Sequence, residues 1–220
     1  MIEIFDAIEQ GSPEWFKLHA GIPTAGDFAK VLAKGKGGEE SKTRTGYLWQ
    51  KVDEALYGDV VIDSYTNANM ERGKAWENDA RSNYALDNDV VPQRVGFVKN
   101  HAVGAGCSPD ALIDDDGELE IKTSFPRLWT PYLVKGGYPV EHKPQLQGNL
   151  WVTGRKWIDL VIYWPNRPLF VTRIERDEEY IAQLALQVRL FNAEVRNNVD
   201  AIRSSRNLRG QLEASREAAQ

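Results

Sequence analysis

Apolar positions along the chain repeat with helical spacing in some stretches and alternate in others. "GSPEWFKL" (11–18) predicts a helix start, with Ser12 as cap and Pro13 in the first turn. "TAGDFAKVLA" (24–33) predicts a second start, with Thr24 as cap and Asp27 three residues on. Residues 34–46, "KGKGGEESKTRTG", have loop composition, and a helix is expected after them through Leu56. "ANMERGKAWENDARSNYALD" carries a helical apolar period through Trp76, Ala80 and Tyr84.

Two strands are expected in "DVVPQRVGFVKN" and "AVGAGCS". "DALID" and "ELEIK" then read as a hairpin about a tight two-residue turn at Asp116-Gly117, which would set Ala111 roughly opposite Lys122. "RLWTPYLVKGG" and "KPQLQGNLWVTG" read as helices, and "WIDLVIYW" and "LFVTRIERD" as adjacent strands joined around "PNRP". A long helix from Glu178 to about Ile202 follows, and the polar residues after it are expected to fray. This order predicts an α/β (α+β) fold with a central mixed β-sheet flanked by helices. It also predicts one domain over 1–203 and a polar tail over 204–220.

Composition narrows the picture. No apolar run approaches the ~18 residues of a membrane span, and no charged, apolar leader opens the chain, so a soluble cytoplasmic protein is expected. One cysteine, Cys107, excludes an internal disulfide and a cysteine zinc cluster, and three scattered histidines argue against a histidine zinc site. A net charge of -5 argues against coating nucleic acid by bulk attraction.

The hairpin holds the candidate chemistry. Six carboxylates lie from Asp110 to Glu120 without a basic residue, and Lys122 ends the run. Glu120 and Lys122 share a strand face, and Asp110 lies at the same end of the hairpin. Asp114, Asp115, Asp116 and Glu118 read as a solvated loop tip. The trio is either a solvated acidic surface or a metal site. In the second case the carboxylates would hold hard Mg²⁺ and the lysine would serve an attacking water at a phosphodiester.

"SPDAL" with "LEIK" resembles the core motif of the PD-(D/E)xK nucleases, whose restriction-endonuclease-like fold it implies. "GKAWENDAR", "KPQLQGNLWVTGRK", "IERDEEY" and "EWFKLHAGIPTAGDF" resemble, in the same order, blocks of the phage lambda exonuclease and YqaJ-like viral recombinase family of alkaline exonucleases. That resemblance implies a 5′-to-3′ exonuclease on double-stranded DNA ends. It would prefer 5′-phosphorylated termini and leave a 3′ single strand for annealing recombination. It also implies two Mg²⁺ ions, with Mn²⁺ able to substitute, a homotrimeric ring, a phage single-strand annealing partner, and a phage or prophage origin in a bacterial cytoplasm.

By matching position, Asp110, Glu120, the Ile121 carbonyl and Glu77 would hold metal, and Lys122 would serve the water. Gln145 matches a glutamine at the site, with Gln147 as the alternative. Ser108, Thr24, His19 and Arg127 would form the 5′-phosphate pocket. There the chain departs from the family: His19 stands for an arginine, Gly26 for a serine, and Arg127 is one place off register.

Basic residues from Lys122 to Lys156, and Lys30, Lys34, Lys36, Lys42, Arg44 and Lys51, are candidates to track phosphates. The tryptophans are expected in the core, with Trp15 and Trp129 as candidate exceptions. Two other functions are compatible with the residues: an endonuclease sharing the metal site, and a nonenzymatic DNA-binding recombination accessory protein.

Overall fold

The computed structural model describes the backbone of residues 1–60 and 68–217, with side chains except at 38, 68–71, 74 and 206–217. A short strand, β1 (Ile2–Phe5), opens the chain, an element outside those expected. α1 (Pro13–His19) begins as its residues dictate, with Ser12 Oγ accepting the Trp15 N–H at 3.2 Å. After a 3₁₀ turn over Ala25–Asp27, α2 (Phe28–Val31) is a single turn. Thr24 precedes that turn without a side-chain capping hydrogen bond, contrary to expectation.

α3 (Lys42–Tyr57) starts inside the stretch expected as loop, because Ser41 Oγ caps it by accepting the Arg44 N–H. α4 (Ala68–Asn88), β2 (Phe97–Asn100), β3 (Ala105–Cys107), β4 (Ala111–Ile113) and β5 (Gly117–Lys122) follow as predicted. The expected helix over "RLWTPYLVKGG" is two single turns, α5 (Pro126–Trp129) and α6 (Tyr132–Lys135), because Pro131 lacks the N–H a continuous helix needs. α7 (Lys143–Thr153) starts with a proline in its first turn and ends where Gly154 takes the left-handed conformation at φ 77°. β6 (Trp157–Ile162), β7 (Phe170–Glu175) and α8 (Glu178–Glu217) complete the chain. The helical backbone of α8 thus runs well past the expected end near Ile202.

The strands form an antiparallel sheet, β1-β2-β3, and a mixed sheet, β4-β5-β6-β7, with only β5 and β6 parallel. The hairpin differs in register from the expectation. Ala111 faces Leu119 and Ile113 faces Gly117, so the loop is Asp114-Asp115-Asp116, with Asp114 at φ 46°. Gly117 is not a turn residue. A Cβ there would lie 2.1 Å from Trp157 Cζ2 on the neighbouring strand, so the glycine makes room for the indole. Arg155 Nη1 ties the loop down by donating to the carbonyls of Ile113, Asp114 and Gly117.

α4 covers one face of the mixed sheet, with Ala80 and Tyr84 against Leu119, Ile121 and Val161. α7 covers the other, with Leu146 and Leu150 against Ile158, Leu160 and Ile162. α8 and α3 pack with α2, α7 and the first sheet around Phe28, Tyr47, Val188 and Phe191. Trp129 belongs to the core, buried against Phe170.

Candidate active site

β5 sets the site by alternation. Leu119 and Ile121 point into the α4 core, so Glu118, Glu120 and Lys122 all point to the side that α7 covers. Glu120 is 3% exposed. Its Oε1 accepts from Lys122 Nζ at 2.6 Å and from Gln145 Nε2 at 2.7 Å, and its Oε2 from Asn149 Nδ2 at 3.2 Å. Lys122 Nζ also donates to Gln145 Oε1 at 3.0 Å. Gln147 lies elsewhere, with its amide bridging the Glu175 carbonyl and the Asp177 N–H. The geometry therefore brings Gln145, and not Gln147, to Glu120 and Lys122.

Asp110 reaches the same strand from the residue before β4. Its N–H donates to the Leu119 carbonyl at 3.0 Å, and its Oδ2 accepts the Ile121 N–H at 2.5 Å. β4 ends its pairing at Ala111, opposite Leu119, so the Ile121 backbone groups on that edge lie beyond it. Glu77 lies on α4, where its carboxylate binds Arg81 Nη2, and Arg81 Nη1 donates to Asn78 at 2.9 Å. Burial, then the negative charges of Glu120 and Glu77, push the Asp110 carboxyl well above the usual carboxylate range. Burial works against the Lys122 ammonium, but the Glu120 and Asp110 carboxylates outweigh it and raise its pKa.

Glu118 corrects an expectation. It is 0% exposed, not part of a solvated tip. Its Oε1 accepts from Thr153 Oγ1, while Oε2 has no hydrogen-bond partner among the described residues. Burial pushes its carboxyl up to about 8, offset in part by Thr153 and Arg155. Cys107 lies in the same region, where burial raises its thiol well above the usual range, which makes it an inert core residue.

Among the described residues no group of three or more histidine, cysteine, aspartate and glutamate side chains has the geometry of a complete metal cage. The donors nevertheless suit Mg²⁺, which takes one or two carboxylates and keeps much of its water. Asp110 and Glu120 are hard oxygen donors, and the Ile121 carbonyl lies beside them. The repulsion that raises the Asp110 pKa is the kind a divalent cation relieves.

Ser108 and His19, two of the four expected phosphate ligands, both contact Trp15. Ser108 Oγ accepts from Trp15 Nε1 at 3.0 Å, and the Trp15 and His19 rings meet with centroids 3.7 Å apart and planes tilted by 44°. His19 Nδ1 donates to the Trp15 carbonyl at 2.7 Å, and the ring packs against Phe97. Burial lowers its pKa to about 4, so the imidazole is neutral at pH 7. Thr24 is buried and bridges to Gly106 of β3. Arg127 is exposed, with its guanidinium over the Phe125 ring at 5.0 Å.

The expected basic tracks are also reduced. Lys51 is buried against Glu54, Arg44 is bound by Glu194, and Lys30 pairs with Asp27. In the second stretch Lys143 pairs with Asp177 and Lys156 with Asp116. Two other residues join the site that were assigned no role there. Asn149 lies in the "KPQLQGNLWVTGRK" block, a buried amide on α7 beside leucines, a valine and Gln147. His142 precedes α7, where burial and the Lys122 charge lower its pKa.

The YqaJ-like viral recombinase domain matches residues 14–156. An alkaline exonuclease from Laribacter hongkongensis is 31% identical, covering 90% of this chain and 100% of its own, with a TM-score of 0.78. The same exonuclease in complex with dAMP gives 0.79 at the same identity and coverage. A phage-related exonuclease from Haemophilus somnus 129PT shares the fold, with a TM-score of 0.61 at 13% identity over 84% of this chain and 98% of its own. No curated protein matches the chain.

Proposed function

The chain belongs to the YqaJ-like viral recombinase family, and from that premise we propose that it is a metal-dependent nuclease that digests one strand of duplex DNA. It works 5′ to 3′ from phosphorylated ends and leaves a 3′ single strand for annealing. The observation that carries this reading is the joining of Asp110, just before β4, with Glu120 and Lys122 of β5 and Gln145 of α7 in a chain similar to an alkaline exonuclease.

Hydrolysis adds water to the phosphorus and breaks the P–O3′ bond. It releases a 5′-mononucleotide and leaves a new 5′-phosphate on the strand. dAMP, found with the Laribacter enzyme, is the form such a product takes. Asp110, Glu120 and the Ile121 carbonyl would hold Mg²⁺, with Glu77 nearby. When bound, Mg²⁺ offsets the charge gained at the phosphate and makes a coordinated water more acidic. Lys122 supplies N–H donors that orient the attacking water or a phosphate oxygen. Gln145 holds the Lys122 ammonium and the Glu120 carboxylate at a fixed separation. Ser108 places a hydroxyl two residues from Asp110, where a terminal phosphate would meet the metal ligands.

A homotrimeric ring would keep a chain of net charge -5 on DNA by enclosure, since half of the basic residues in its two basic stretches are ion-paired within the chain. A phage single-strand annealing protein would take up the exposed strand in the bacterial cytoplasm. No helix among the described residues is long and apolar enough to cross a membrane. Incubation of linear and covalently closed circular duplex with the protein and Mg²⁺ tests the exonuclease reading. The linear form should disappear and the circle persist, and cleavage of the circle would make the protein an endonuclease.

A further inference from the structure

α7 lies along β5 in a matched register. Gln145, Asn149 and Thr153 are spaced four residues apart and share one side of the helix. Lys122, Glu120 and Glu118 are spaced two apart and share one face of the strand. Four helical residues rise about 6 Å and two strand residues about 6.6 Å, so the two series stay aligned over three rungs. Gln145 meets Lys122 and Glu120, Asn149 meets Glu120, and Thr153 meets Glu118.

The middle rung is the least replaceable. Asn149 is 1% exposed, and its amide supplies the hydrogen bond to Glu120 Oε2 among the described residues. Oε1 is already taken by Lys122 and Gln145. A carboxylate can rotate about its last bond, and donors on both oxygens remove that freedom. The lower rung is costly in itself: Glu118 is fully buried with Oε2 unpartnered among the described residues. Burying a carboxyl incompletely satisfied costs stability, and proteins tolerate such violations chiefly at functional sites.

We infer that Asn149 is a positioning residue for the metal ligand Glu120, with the Thr153–Glu118 pair anchoring the register of the same ladder. The inference rests on the nuclease reading above. Fixed ligand orientation is what outer partners of metal ligands provide, and removing one typically weakens metal binding by ~10-fold or more.

The test uses the full chain and two variants, Asn149→Ala and the near-isosteric Asn149→Leu, neither of which can donate to Glu120. Mn²⁺ binding is read from the loss of free-ion spin-resonance signal, the Mg²⁺ midpoint from digestion of 5′-phosphorylated duplex, and folding from circular dichroism melts. Both variants should stay folded, bind Mn²⁺ ~10-fold more weakly and need correspondingly more Mg²⁺. Thr153→Val should shift the same quantities in the same direction by less. A folded variant with the wild-type Mn²⁺ affinity and Mg²⁺ midpoint would overturn the inference, as would a lower melting temperature with unchanged midpoints. Failure of both variants to fold would make Asn149 a packing residue and overturn it too. A wild-type chain that bound no Mn²⁺ and digested nothing would instead overturn the nuclease reading.

Discussion

Lys122 Nζ lies 2.6 Å from Glu120 Oε1, an ion pair made between two side chains on one strand face, with Glu120 nearly closed to solvent. The lysine is therefore part of the acidic centre and not a passing surface charge. Lys122→Ala should lower the digestion rate by ~10²-fold or more while duplex affinity changes by less than about 3-fold. Lys122→Arg should restore little, because a planar guanidinium does not replace a compact ammonium held by two oxygens. Single-turnover rates and equilibrium binding in Ca²⁺ separate the two effects. Equal losses in rate and binding would make Lys122 a DNA-holding residue only.

Gly117 lies against the Trp157 indole, with room for no Cβ. Gly117→Ala should destabilise the protein by about 1–3 kcal/mol, since the clash is with a ring wedged in the neighbouring strand. Trp157→Phe in the same chain should recover part of that loss. Urea melts of the three variants check it, and an unchanged midpoint for Gly117→Ala would show that packing against Trp157 does not demand the glycine.

His19 gives the stability a defined pH slope. Its pKa falls from the usual 6.5 to about 4 in the folded protein, because burial disfavours its charged form. Between those values the unfolded chain holds a proton that the native chain lacks, so stability falls as pH drops from about 6.5 towards 4. The effect is bounded at ~3 kcal/mol by the shift, and His19→Gln should flatten the slope. Because the ring is already neutral at pH 7, the preference for 5′-phosphate over 5′-hydroxyl ends should differ by less than about 2-fold between pH 7 and pH 9. A preference that disappeared at pH 9 would mean that phosphate charges the imidazole.

The legible parts of this chain were those governed by local chemistry. Ser12 and Pro13 announced α1, and the period through Ala80 and Tyr84 and the stretch "KPQLQGNLWVTG" announced the two helices that flank the sheet. Asp110, Glu120 and Lys122 were readable because strand alternation and a short hairpin bring them together in more than one register. Long-range packing was not readable. The Asp116-Gly117 pair carries a turn signal, yet the glycine answers to Trp157, forty residues away in sequence. Glu118 looked solvated beside three aspartates because nothing nearby shows that Thr153 and α7 close over it. Lys51 looked like a phosphate contact because its partner Glu54 is itself buried by the fold. Of the phosphate pocket, Ser108 and His19 both contact Trp15, a residue of the "EWFKLHAGIPTAGDF" block and one of the two tryptophans expected outside the core.

Assembly is the least local part of the account. A homotrimer of the 24.9 kDa chain is expected at micromolar concentration by light scattering coupled to size exclusion. A monomer under those conditions would remove the ring and leave the chain's hold on DNA unexplained by enclosure.

The central claim is that Asp110, Glu120 and Lys122 form a metal-dependent exonuclease centre. It is tested most directly by mononucleotide release from a linear duplex labelled at one phosphorylated 5′ end. The wild type is compared with Asp110→Asn, each with Mg²⁺ and with excess chelator. The wild type should release labelled 5′-mononucleotide from the outset in Mg²⁺ and none with chelator. Folded Asp110→Asn should release it at least ~10³-fold more slowly. Release by Asp110→Asn at the wild-type rate, or wild-type release undiminished by chelator, would contradict the claim.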